Sequence, residues 1–365
     1  MRIATNLRIV TKRTSGAVLA ALTVAITLIG CSSSGSSTGA SAGGTSARGR
    51  AAGQLSIRSS DLASALDLVP DMPDGYALYT DWSMLGHQDR NDADTASFAG
   101  ALLAGDDQLQ RDLGIRSTDA QWELDVTRVG RPPLVVLGFG RHTDLSGIAG
   151  RLTRLGYHAD GSIFTGPASS SPGRIWAIAL RNIGIDSRRH LLAGGPDAAA
   201  VRSVLAGPAH PLGHASAVIP LLALASARLG RIATASTTVG SVACVRLTAL
   251  IGLHATPEAV AVARKRLPGR FTPPQAEITA LASPTAKTAL DAMTFPDQGI
   301  ARANQRSRLA ASTVLTGVAL GDPAEVRVTS AAVTGRVLRF RLTAGQPRDF
   351  PKLVLYNDLG VDICP

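Results

Sequence analysis

Residues 122–139 read Trp122-Glu-Leu-Asp-Val-Thr-Arg-Val129-Gly-Arg-Pro-Pro133-Leu-Val-Val-Leu-Gly-Phe139. Trp122 to Val129 and Pro133 to Phe139 read as two strands joined by a Gly130-Arg-Pro turn. The second holds an unbroken apolar run, Leu134-Val-Val-Leu-Gly138, which predicts a buried strand. Thr143 or Asp144 then caps a helix through Leu155, with Ile148, Leu152 and Leu155 at helical spacing. Paired strands followed by a helix point to an α+β fold, with mixed or antiparallel sheets and helices on one side.

The flanking sequence extends the pattern. Towards the N-terminus, Asp61 to Leu68 is a short amphipathic start, and Pro70 and Pro73 break the chain. Tyr76-Ala-Leu-Tyr79-Thr-Asp-Trp82 reads as a strand entered from an Asp74-Gly75 turn, and Asp94 or Thr95 caps a helix to about Leu103. Beyond Tyr157-His158, a strand start, Ser162 to Thr165 and Ile175 to Leu180 read as further strands. His190-Leu-Leu-Ala leads through a Gly194-Gly-Pro196-Asp197 turn into a helix, Ala198 to Leu205. Ala215 to Leu229 is strongly apolar but short, and holds Pro220 and Arg228, so it does not span a bilayer. Cys244-Val-Arg-Leu247 is a strand before a helix opened by Thr256-Pro257-Glu258 and ending at Leu267. It echoes the strand and helix that end at Leu155. That echo predicts two similar α/β halves, divided near 208–215. Strand pieces at 277–295 precede a helix from Phe295-Pro-Asp297 to about Ala311, with Arg302 and Arg306 on one face. Glu325 to Leu342 is the clearest hairpin, turning at Thr334-Gly335. Val326, Val328, Leu338, Phe340 and Leu342 share one face, and Arg327, Arg339 and Arg341 share the other. Those arginines could meet anionic envelope polymers or lipid head groups, and a solvated outer sheet face explains them as well.

The catalytic and metal motifs fail on their context, so no catalytic residue, metal ligand or cofactor is assigned. Gly39-Ala-Ser41-Ala-Gly43 matches a serine-hydrolase pattern but has no strand before it or helix after it. Asp89, Asp92 and Asp94 suggest calcium. The spacing puts Ala93, Asp94 and Gly100 where a ligand, a glycine and a glutamate are required. Gly138 and Gly140 form half a dinucleotide fingerprint, with Thr143 at the third position and only Asp160 as a ribose acid. His210 and His214 flank Pro211 without a third ligand nearby. No Cys-x-x-Cys exists, so thioredoxin-like chemistry has no basis.

The N-terminal segment is of another kind. Residues 1–13 carry Arg2, Arg8, Lys12 and Arg13 without an acid, and 17–30 form an apolar run. This is the layout of a secretory signal peptide, expected over 1–30. Leu28-Ile29-Gly30-Cys31 resembles the bacterial lipobox. The resemblance implies a diacylglyceryl thioether on Cys31, cleavage before it, and acylation of the new amino terminus. Several acyl chains anchor stably where one binds marginally. Residues 32–53 are a Ser/Gly-rich tether, expected to be a disordered coil reaching about 25 Å. The domain then spans 54–365. Leader, lipobox, tether, the Tyr79-Thr-Asp-Trp82 strand and two late cysteines together resemble uncharacterised cell-envelope lipoproteins of mycobacteria and related actinobacteria. With Cys31 given to lipid, Cys244 and Cys364 remain as an even pair in an oxidising compartment. They are expected to bridge, the alternatives being two free thiols or an intermolecular pair.

The formal net charge of +10 loses the leader's four cations, leaving +6 on the mature chain. The rest is spread without a basic stripe interleaved with aromatics, which argues against a nucleic-acid partner. The localisation expected is the extracytoplasmic face of the cell membrane, held through the acylated N-terminus. The first functional reading is a non-catalytic binding or assembly module of the envelope, with a protein, lipid or glycan partner. A carrier of lipid or glycolipid across the envelope and an enzyme of unfamiliar type are the alternatives.

Overall fold

Strands β2 (Trp122–Arg128) and β3 (Leu134–Gly138) pair antiparallel, with Trp122 opposite Gly138 and Val126 opposite Leu134. Trp122, Leu124 and Val126 enter one core, and Glu123 and Asp125 point to the other face. Gly138 has no side chain because the Trp122 indole occupies the space its Cβ would need. The chain is seen here in a computed structural model that describes residues 62–85, 100–167, 174–246, 256–267, 271–315, 326–345, 350, 361 and 363–364. The leader, Cys31, the tether with its serine motif, the Asp89–Asp94 acidic run and the helix start at Asp94 or Thr95 lie outside the described residues.

The pair belongs to a twelve-stranded sheet in which every pairing is antiparallel. In chain order its other strands are β1 (Gly75–Thr80), β4 (His158–Asp160), β5 (Ile163–Thr165), β6 (Asn182–Asp186), β7 (Leu191–Gly195) and β8 (Thr234–Val239). They are followed by β10 (Ala276–Leu281), β11 (Thr288–Thr294), β12 (Val326–Thr334) and β13 (Val337–Ala344). The spatial order is β12-β13-β11-β10-β8-β1-β2-β3-β7-β6-β5-β4. A separate parallel pair joins β9 (Val245–Arg246) to β14 (Ile363–Cys364). The fold is α+β.

The order resolves into two similar halves that meet where β1 pairs β8. Each half opens with a three-strand meander, β1-β2-β3 or β8-β10-β11. A helix then carries the chain outward, and later strands return to pair the meander's last member. That helix is α3 (Ser146–Arg154) in the first half and α8 (Gln298–Leu315) in the second. The sequence pairs the helix ending at Leu155 with the one ending at Leu267. The topology instead matches that later helix, α7 (Pro257–Arg266), to α2 (Asp106–Leu113), since each is inserted between the first two meander strands. The duplication therefore lies at a different register from the one the local strand–helix echo suggests. Residues 208–215 lie in sequence between β7, the last strand of the first half, and β8, the first of the second. Leu212 N donates to Val69 O at 2.9 Å and Asp71 N to His210 O at 2.7 Å, stitching that segment to the start of the domain.

Helices cover both faces of the sheet rather than one. On the first face, α1 (Leu62–Leu66), α5 (Ala198–Ala206) and α6 (Ile219–Leu229) bring Leu66, Val204 and Leu221 against Tyr79, Leu124 and Ile278. On the second, α2, α3 and α4 (Ile175–Ala179) cover Val135, Leu137 and Leu192. Over the other half of that second face, α8 packs with Phe295 and Phe350 on Met293, Phe340 and Leu342. Ile175 to Leu180, expected as a strand, contains α4. A six-residue apolar run carries no period that separates strand from helix, and tertiary contacts decide. Trp176 stacks on Tyr157 with centroids 6.2 Å apart, and its Nε1 donates to Asp112 at 3.0 Å. The Gly194-Gly195 pair, expected as a turn, completes β7. There Gly194 lies under Leu180, and Gly195 lies under the carbonyl of Pro133.

Candidate functional site

Cross-strand register puts a polar band on the second face, between the two helical layers. Asp125, Leu78, Ser236, Thr279 and Asp291 align across β2, β1, β8, β10 and β11. Glu123, Thr80 and Thr234 form the row on one side, and Thr127, Tyr76, Thr238 and Glu277 the row on the other. Glu123, Thr80, Thr234, Ser236, Glu277, Thr279 and Asp291 are buried. Glu123 and Glu277 occupy equivalent places in the second strand of each meander, so the duplication repeats a buried glutamate on the same face. The sequence reading missed this band because its central strand, Thr234-Ala-Ser-Thr-Thr-Val239, has almost no apolar pattern. Its β-branched threonines were the available signal.

Glu123 and Asp125 stand two residues apart on β2, their carboxyls close enough to act on one another's protonation. Glu123 Oε2 accepts from Trp82 Nε1 at 3.0 Å. Asp125 Oδ2 accepts from the amides of Gly100 and Ala101, at 2.8 and 3.0 Å. Burial, reinforced by the neighbouring Asp125 charge, holds the Glu123 carboxyl well above the usual carboxylate range. Burial also pushes Asp125 up to about 6, against the two amides and the Glu123 carboxyl that favour its ionised form. Oε1 of Glu123 and Oδ1 of Asp125 receive no donor from the rest of the chain. One proton held by Glu123 and donated to Asp125 satisfies both oxygens and leaves Asp125 to accept from the backbone. Nearby, buried Asp81 accepts from Ser83 N at 3.1 Å and from Arg231 Nε and Nη2 at 3.3 and 3.1 Å. These carboxyls act as fasteners. Each ties the sheet to a loop or to the turn at Trp82–Met84.

The structure joins Cys244 and Cys364 in a disulfide with Cα atoms 5.7 Å apart, 120 residues apart in sequence. The bond lies beside the β9–β14 pair, so it pins the C-terminal strand to the body. Buried Arg308 of α8 lies against it. Its Nη2 is 3.9 Å from Cys244 Sγ and 3.8 Å from Cys364 Sγ, and it donates to Thr272 O at 3.3 Å and to Val361 O.

The three hairpin arginines lie together as the alternation predicts. Arg339 and Arg341 lie on β13 and Arg327 on β12, all on the first face, and Arg327 and Arg341 are exposed. The histidines do not meet as a pair of ligands. His214 Nε2 lies 3.5 Å from Asp67, and the carbonyl of His210 accepts from Asp71. Among the described residues no three of His, Cys, Asp and Glu group closely enough to hold a metal ion. Gly138 and Gly140 pack on Trp122 and Gln121 side chains.

Neither the known protein families nor the curated proteins yield a match to this sequence. Among solved structures, crystal form I of TP0453 is similar over 80% of this chain and 97% of that one, at 10% identity and a TM-score of 0.41.

Proposed function

We propose that the chain is a lipid-anchored, extracytoplasmic protein of the bacterial envelope that works as a non-catalytic binding or assembly module. The observation that carries the reading is the Cys244–Cys364 bridge, which closes a long loop and fastens the last strand. Such bonds persist in oxidising compartments and are rare in the cytosol. They fit a leader and a Cys31 that resemble those of exported lipoproteins. The carboxyls of Glu123, Asp125 and Asp81 support a non-catalytic role, because each is engaged in holding the chain's own amides, indole or guanidinium. The anchor is tested by expressing the chain and its Cys31→Ala variant in a bacterium fed labelled palmitate. The native chain takes up label and fractionates with membranes. Equal labelling and fractionation of the variant contradict the reading.

A further inference from the structure

The outer edge of the second half sorts its charge by face. Strands β11, β12 and β13 and helix α6 contain a single acid, Asp291, and it lies buried on the second face. On the first face, α6 packs on β10 and β11, and the rim beyond it is the β12–β13 hairpin. There Arg341 stands opposite Leu290 and Ser330, Arg339 opposite Ala292 and Ala332, and Arg327 opposite Thr343. Among the described residues no neighbour on that face is a carboxylate, and none of the three arginines enters an ion pair. Residues two apart on a strand are about 7 Å apart, so the three guanidiniums repel one another unless an anion joins them. Their partners across the strands are short, which leaves the planar forks free to take phosphate oxygens in pairs. The turn at Gly335, with φ 55°, and the bond from Arg336 to the carbonyl of Ser216 hold the hairpin against the start of α6.

We infer that this arginine face is a docking surface for the phosphate head groups of anionic lipids, in the membrane to which the chain is tethered. The inference rests on the proposed anchor for its choice of partner. A tether of about 25 Å keeps the bilayer within reach and raises its effective concentration, and a row of arginines without a described acid among them suits an array of phosphates. Each basic residue near such a surface is worth about fivefold in binding at moderate salt, so three together give on the order of 100-fold.

The test uses mature residues 31–365 with Cys31→Ser, so that no acyl chain contributes and the outcome is independent of the anchor. Cosedimentation with phosphatidylglycerol vesicles is compared with phosphatidylcholine vesicles, at low and high salt. Binding to the anionic vesicles alone, weakened by salt and reduced on the order of 100-fold in Arg327→Ser/Arg339→Ser/Arg341→Ser, is the expected result. The matching triple lysine variant, which keeps the charge, retains most of the binding and shows that the loss is not misfolding. Equal binding by the parent and the serine variant overturns the inference. So does tight binding to soluble polyphosphate without binding to vesicles, which would assign the face to an anionic polymer instead. Either result leaves the Cys31 anchor standing.

Discussion

Glu123 and Asp125 set the residue-scale chemistry. A carboxyl whose pKa is higher in the folded chain binds more protons there than in the unfolded chain. Its contribution is complete below the unfolded value and is lost as pH rises through the folded one. For Asp125 that window runs from 3.8 to about 6, and Glu123 acts in the same direction at higher pH. Asp74, Asp144 and Asp186, held low in the folded chain, act with the opposite sign below that window. Urea denaturation across this range should show Asp125→Asn gaining about 1–3 kcal/mol on the parent between acid and neutral pH. A constant difference contradicts the assignment. Glu123→Gln keeps an acceptor for Trp82 and a donor for Asp125, so its stability at pH 7 should match the parent within about 0.5 kcal/mol. Glu123→Leu strands the buried indole N–H and should cost about 1–3 kcal/mol. Gly138→Ala, which drives a methyl into the Trp122 ring, should cost about 1–3 kcal/mol in the same measurement.

At the scale of elements, the legible parts were those whose burial leaves a period. The β2–β3 pair and the β12–β13 hairpin follow from alternation, an apolar run and a glycine at a positive φ. The helix from Ala198 follows from the Asp197 cap, whose side chain accepts from the amides of Ala199 and Ala200. Other elements were hidden for physical reasons. Strand β8 is central and buried yet made largely of threonine, serine and alanine, so hydrophobicity does not mark it. Helix α2 was missed although Asp106 and Asp107 open its first turn and Leu109 and Leu113 share its buried face. The candidate site depends on β8, so the polar band was invisible while the arginine face, on a regular hairpin, was not. The disulfide acts on elements too, since it closes the long loop that ends in β14. Its reduction, or Cys364→Ala, should lower stability by about 2–5 kcal/mol, read as a lower thermal midpoint. An unchanged midpoint would show that β14 contributes nothing to the body.

The whole molecule is two variations on one plan, joined through β1 and β8 in a single continuous sheet. Ladder bonds and a shared core cross that junction, so the halves should unfold together. Phe340→Ala, in the second half, should cost about 3–5 kcal/mol and move the unfolding of both halves alike. Two separate transitions would contradict the continuous sheet. The duplication also accounts for the recurrence of a buried glutamate on one face, and the charged edge of the second half gives the molecule a side to present. The proposed place in the cell rests on lipidation of Cys31, and mass spectrometry of the N-terminal peptide of the chain tests that most directly. The account predicts a peptide that begins at Cys31 and carries the mass of a diacylglyceryl group. A peptide retaining residues 1–30, with Cys31 unmodified, would contradict it.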